Sequence, residues 1–254
     1  MKITKNSWEE AVNKFLSNYN NKKIIGVVVC GSYITGNPSK FSDIDLQIIL
    51  EKGVSFRERG TKKVDGFLIE YFVNPVNYIP VYFKEDFNAR KKISSHMLAT
   101  GKVLFDKTGE IKKLVAKAKR ELQRTYPVMK KKDQQLTAYT LWDKYDNLCE
   151  TYERDGEEFY IQYYLGLRKI ISSYTAFLRI DDLPEHKITR FLKEKQEREK
   201  YLVKEFPDKK FEQMLLSSLK IKAKKKMLLE YKQINDYVIN RLGGINTVSW
   251  SVRT

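Results

Sequence analysis

The sequence predicts an α/β (α+β) protein: an N-terminal domain with a mixed sheet over residues 1–107, followed by a C-terminal helical bundle over residues 108–254. Three observations carry that expectation. Short apolar runs rich in β-branched residues recur in the first part, IIGVVVC at 24–30 among them. Beyond DKTG at 106–109 the pattern turns to helical spacing, punctuated by Pro127, Gly156, Pro184 and Pro207. At 254 residues, 42% apolar and 13% aromatic, the chain can bury a sizeable core and is too apolar to be disordered.

Taken in order, Ser7-Trp8-Glu9-Glu10 is a capping box, and it opens a helix whose apolar face is Trp8, Ala11, Val12, Phe15, Leu16 and Tyr19. The run 24–30 has no polar alternation, so it reads as a strand buried on both faces. Further strands are expected over 44–50, 66–73 and 102–106, with one helix over 84–99. Five or six helices follow, and Gly243-Gly244 stops the last of them. The boundary near residue 108 is a shift of composition and not a flexible spacer.

The net charge of +16 raises the question of a polyanionic partner. Its distribution argues against nucleic acid. Residues 1–107 hold 17 Lys/Arg against 11 Asp/Glu, and residues 108–254 hold 31 against 21, so the excess is spread over both parts. The runs Lys130-Lys131-Lys132 and Lys224-Lys225-Lys226 read as solvated helix ends. No apolar stretch has the length of a membrane span, the start MKITKNSWEE lacks a signal-like run, and Cys30 and Cys149 show no metal-ligand spacing. A reduced, cytoplasmic protein without membrane attachment is the expectation.

One stretch breaks the pattern of a buried core. VVVCGSYITGNPSKFSDIDLQIIL at 27–50 leaves a strand at Gly31-Ser32 and re-enters one through Asp43-Ile44-Asp45. Residues two apart on a strand share a face, so Asp43 and Asp45 project together while Ile44 and Leu46 point into the core. Two adjacent carboxylates repel unless a cation lies between them. Glu70, set between Ile69 and Tyr71 in the third predicted strand, joins them if the strands are neighbours. Such oxygen-rich anions on rigid strands suit a hard divalent cation, Mg²⁺ or Mn²⁺. Gly31 permits a sharp turn and close approach of a phosphate, and Ser32 offers a hydroxyl and an amide to it. Gly31-x4-Gly36 imitates a P-loop, yet Asn37-Pro38 stand where Lys and Ser/Thr are required.

Gly-Ser after a strand, Asp-x-Asp opening the next and a carboxylate in a third resemble the polymerase-β-type nucleotidyltransferases. CGSYITGNPSKFSDIDLQIIL is similar to their antibiotic-modifying branch, the aminoglycoside and lincosamide enzymes, and to the minimal nucleotidyltransferases. HMLATGKVLFDKTGEIKKL at 96–114 looks like that branch's closing strand. The resemblance implies a catalytic domain at 1–107 and a helical acceptor-binding domain at 108–254. It implies that Asp43 and Asp45 hold the metal on a nucleoside triphosphate, ATP in the leading reading. Gly31, Ser32 and Ser42 would bind the nucleotide, and Glu70 would complete the metal site or act as general base. AMP would pass to a hydroxyl of a small-molecule acceptor, an antibiotic by analogy. A protein-modifying or antitoxin-like enzyme with a protein partner and an RNA-end nucleotidyltransferase are the alternatives, and a homodimer stays open.

Two lesser signals lie in the second part. A helix over 133–157 carries an acidic stripe of Asp143, Asp146, Glu150 and Glu153 beside an apolar one, and the first three are acceptor-binding candidates by analogy. Most such stripes are simply solvated. Arg179-x6-His186 weakly resembles a ribonuclease motif of small helical bundles, although Ile180 and Pro184 interrupt it.

Overall fold

A computed structural model describes residues 7–19, 21–36 and 38–252; the first six residues and Asn37, both used above, lie outside that set. The capping box forms as expected. Ser7 Oγ accepts from the Glu10 amide at 3.2 Å, Glu10 Oε2 accepts from the Ser7 amide at 2.9 Å, and helix α1 runs over Trp8–Asn18.

The strands are β1 (Ile24–Cys30), β2 (Ile44–Leu50), β3 (Glu58–Val64), β4 (Phe67–Pro75) and β5 (Lys102–Asp106), in one mixed sheet of order β3-β4-β2-β1-β5. β2 and β4 are parallel and the other pairs antiparallel. The four strands expected from sequence are present. β3 was not foreseen, because ERGTKKV has no apolar alternation and is exposed over most of its length. Its charges suit an edge strand, where they discourage pairing with other chains.

Both faces of the sheet are covered. On one, Val27, Val29, Ile44, Leu46, Ile48, Leu50, Ile69 and Val73 pack with Ala11, Val12 and Phe15 of α1. On the other, Val28, Cys30 and Ile49 meet Ile79 and Phe83 of α3 (Ile79–Asn88), Leu98 of α4 (Ile93–Thr100), and Ile111, Leu114 and Ala118 of α5 (Glu110–Gln123). Each buried Val, Leu, Ile or Phe among them contributes about 1.5–3 kcal/mol of transfer free energy.

The single helix expected over 84–99 is two helices. Arg90 and Lys92 adopt φ of 59° and 46°, which interrupts the helical path. Lys92 has a job there: its buried ammonium donates to the carbonyls of Leu122 and Arg124 at 3.1 and 2.8 Å, closing the end of α5. Helix α5 seats against β1 because Gly26 has no side chain, and a Cβ there would lie 2.2 Å from Ile111 Cγ1. The first compact unit therefore runs on to Arg124, past the composition shift near residue 108, and takes in residues 198–203.

The second compact unit is helical. It is built from α6 (Lys131–Glu153), α7 (Phe159–Phe177), α8 (Ile188–Lys193), the start of α9 (Lys195–Lys200), α10 (Lys209–Ser218) and α11 (Lys224–Arg241). Leu141, Leu148, Tyr163, Ile170, Tyr174, Phe211, Tyr231, Ile234 and Val238 are fully buried within it.

Asp208 caps α10 by accepting from the Phe211 amide at 3.0 Å, and it also takes the hydroxyls of Tyr174 and, at 2.8 Å, Tyr237. Burial alone would raise its pKa, but these three donors outweigh burial and hold the carboxyl below the usual range. A lowered folded-state pKa means that this contribution is present above the unfolded-state pKa and is lost as pH falls through the folded one. Asp208→Ala removes a cap worth ~0.5–2 kcal/mol. It also leaves the buried Tyr174 hydroxyl without its acceptor, at ~1–3 kcal/mol. A loss of about 2–4 kcal/mol in denaturant titration at neutral pH is expected, narrowing as the pH approaches 2; a loss that is the same at pH 7 and pH 2 would exclude this account.

Candidate active site

The chain leaves β1 at Gly31 with φ 79° and ψ −163°, a conformation open essentially to glycine alone. One helical turn follows, α2 (Ser32–Thr35), in which Ile34 and Thr35 donate to the Gly31 carbonyl at 3.1 Å and Gly36 to that of Ser32 at 2.9 Å. Tyr33 anchors the turn, its ring centroid 6.4 Å from that of Trp8 and 5.9 Å from that of Phe67. The amides of Ser32 and Tyr33 at its start have no intrahelical acceptor, which suits an anionic ligand.

The chain returns through a tied loop. Ser42 Oγ accepts from the Ser39 amide at 2.8 Å, and the Ser42 amide donates to the Ser39 carbonyl at 3.0 Å. Ser42, expected at the nucleotide, thus fixes the approach to Asp43. Ile44 and Leu46 are fully buried, as the alternation predicts, while Asp43 and Asp45 are half-buried on either side of Ile44.

Register completes the picture. Cys30 pairs with Asp45, Asp45 with Glu70, and Glu70 with Thr61, so the four form one row across β1, β2, β4 and β3. Side chains of a row share a face, here the one opposite α1. A Cβ on Gly31 would lie 2.2 Å from Asp45 Oδ2, so the turn presses against this carboxylate. Burial, then the charge of Asp45, pushes the Cys30 thiol well above its ordinary pKa, leaving it neutral and unsuited to nucleophilic work.

Glu70 stands beside Asp45 as expected, but its carboxylate is engaged. Arg59 donates to Oε1 through Nη2 at 2.6 Å and Nε at 3.1 Å. The expected three-acid cluster is not assembled: among the described residues no group of three or more His, Cys, Asp or Glu is placed to hold a metal. The Asp43–Asp45 pair nonetheless fits Mg²⁺, which takes one or two carboxylates together with substrate phosphates and water. The space that a side chain at residue 31 would fill is taken by the Asp45 carboxylate.

Two basic residues at this site were not anticipated. Arg59 was hidden because its strand was. Lys200, at the end of α9, donates to the Gly36 carbonyl at 3.5 Å, in a stretch that packs with the first unit although it lies far along the chain. No local pattern signals such a return.

The acidic stripe lies on α6. Asp143, Asp146 and Glu150 are exposed; Asn147 donates to the Asp143 carboxylate at 3.4 Å, and Glu150 pairs with Arg154. Arg179 adopts φ 61° and donates to the Tyr126 carbonyl at 2.7 Å, so Arg179 and His186 do not share a helical turn. Among the described residues no helix is long and apolar enough to cross a membrane.

Residues 9–100 match the model of a family described as the nucleotidyltransferase domain. No curated protein matches the chain. Among solved structures, a nucleotidyltransferase-like protein from Exiguobacterium sibiricum is similar over 92% of this chain and 75% of its own, at 10% identity and a TM-score of 0.47.

Proposed function

Because residues 9–100 are a nucleotidyltransferase domain of the polymerase-β-type superfamily, we propose that this enzyme transfers AMP from ATP to a hydroxyl of a small-molecule acceptor, with an aminoglycoside or lincosamide antibiotic as the named class. The observation that supports the site is the seating of Gly31 against Asp45, which brings the glycine turn up to one carboxylate of the Asp-x-Asp pair. The Ser32 hydroxyl and the first amides of α2 bind the β- and γ-phosphates. Asp43 and Asp45 hold a divalent cation, Mg²⁺ or Mn²⁺, which when bound neutralises the triphosphate and polarises the α-phosphate. Glu70, next in the row, is either a further ligand or the proton acceptor for the attacking hydroxyl. The bond formed joins the acceptor oxygen to the α-phosphorus, and the bond broken releases pyrophosphate.

A panel of labelled ATP, GTP, CTP and UTP against small-molecule, RNA and protein acceptors tests this reading. Labelled adenylate on an antibiotic hydroxyl supports it. Label on RNA ends or on a protein favours the RNA-end enzyme or the protein-modifying one. Because the positive charge is spread, RNA binding is expected to be weak and to fall steeply with salt. A complex stable near physiological salt would count for the RNA-end alternative.

The acceptor class predicts a role for the stripe on α6. A polycationic acceptor is repelled by a chain of charge +16 except at an acidic wall. Exposed charge pairs are worth ~0.2–1 kcal/mol, so Asp143→Asn, Asp146→Asn and Glu150→Gln should each raise the aminoglycoside KM by about 1.5- to 5-fold. Nucleotide affinity and stability should stay put. Unchanged acceptor kinetics in all three would remove the stripe from the acceptor site.

A further inference from the structure

We propose that Arg59 is a positioning residue that holds Glu70 out of the metal shell of Asp43 and Asp45. The inference rests on the reading of Asp43 and Asp45 as metal ligands given above, and it decides between the two roles left for Glu70.

Register alone would send Glu70 to the metal, since it pairs directly with Asp45 across the parallel β2–β4 ladder. Its side chain is only 19% exposed, so the carboxylate needs partners close by. Arg59 supplies them. Two N–H groups converge on the single oxygen Oε1, and both bonds are charge-assisted. The guanidinium is held in turn: Arg59 faces Phe72 in the β3–β4 register, with its guanidinium carbon 4.8 Å from the centroid of that ring.

Charge argues the same way. Arg59 already supplies the positive charge facing Glu70. Drawing Glu70 into the shell would break two hydrogen bonds and bring the guanidinium toward a second cation. Glu70 therefore stays on β4, beside the metal and outside its coordination, where its second oxygen serves the acceptor hydroxyl.

The test is a titration of the full-length protein with Mn²⁺ alone, following free Mn²⁺ by electron paramagnetic resonance. Asp45→Asn should weaken binding by tenfold or more, whereas Glu70→Gln should stay within twofold of the wild type. Arg59→Ala frees a third carboxylate and should bind Mn²⁺ at least fivefold tighter. Arg59→Lys, which keeps a cation opposite Glu70, should return toward the wild-type value, as should Arg59→Ala combined with Glu70→Gln. Lys63→Ala removes a charge from the same strand, four residues on, and should leave binding unmoved, separating the specific pair from the general field. The proposal is overturned if Glu70→Gln weakens Mn²⁺ as much as Asp45→Asn does, or if Arg59→Ala binds as the wild type does. Mn²⁺ binding that survives both Asp43→Asn and Asp45→Asn would instead overturn the metal-site reading, and Arg59 with it. Circular dichroism of each variant confirms that the sheet is intact.

Discussion

Asp43→Asn and Asp45→Asn should each lower nucleotidyl transfer by about a thousandfold or more while leaving the melting temperature unchanged. The two carboxylates flank the fully buried Ile44 and are themselves half-buried, so the isosteric amides disturb little packing. What the amides lose is charge. A metal held by one carboxylate in place of two loses affinity and the geometry that aligns the triphosphate. A thousandfold corresponds to about 4 kcal/mol of transition-state stabilisation, within the several kcal/mol that a bound divalent ion supplies. Removing one of two neighbouring anions also relieves repulsion, which works against any loss of stability. The measurement is pyrophosphate release with the acceptor identified by the panel, alongside thermal melts. Full metal-dependent turnover in either variant would end the reading of this pair as metal ligands.

The sequence made this site legible for a physical reason. Buried strands exclude charge, so two aspartates spaced to share a face in an apolar run stand out, as does a glycine directly after a β-branched strand. Chain-local patterns of that kind survive folding, and the alternation around Ile44 and Leu46 is what the structure has. Arg59 and Lys200 illustrate what local patterns omit. β3 is a charged edge strand with no buried face to enforce alternation, and Lys200 reaches the Gly31–Gly36 turn from more than 160 residues along the chain. The split of the expected 84–99 helix has a similar origin, since Lys92 leaves helical conformation to close the end of another helix thirty residues later. Glu70 shows the limit most plainly. Its row with Asp45 follows from spacing and strand order, but its partner depends on a strand that spacing did not reveal.

Gly31→Ala is the substitution expected to harm both stability and activity, and Gly36→Ala separates the two effects. Gly31 has φ 79° and ψ −163°, and Gly36 has φ 91° and ψ 154°. Both lie in a region that a Cβ disfavours, so each alanine should cost about 1–3 kcal/mol of backbone strain. Only at residue 31 does the new Cβ also meet something. It would lie 2.2 Å from Asp45 Oδ2, whereas among the described residues nothing stands within 4 Å of a Cβ at Gly36. That approach is too close to persist, and either the carboxylate or the turn must move by about an ångström. Displacement of that size at a reacting centre costs roughly a hundredfold in rate. The two variants should therefore melt at similarly lowered temperatures, with Gly31→Ala some hundredfold slower and Gly36→Ala within a few-fold of the wild type. Thermal melts and transfer rates, taken on the same preparations below the lower melting temperature, check this. Equal activity in the two would mean that the contact between turn and carboxylate plays no part in catalysis. Loss of Mn²⁺ binding in Gly31→Ala but not in Gly36→Ala would locate the damage at Asp45, because the amides of α2 follow both the strained residue and the displaced turn, whereas the proposed metal would follow the carboxylate.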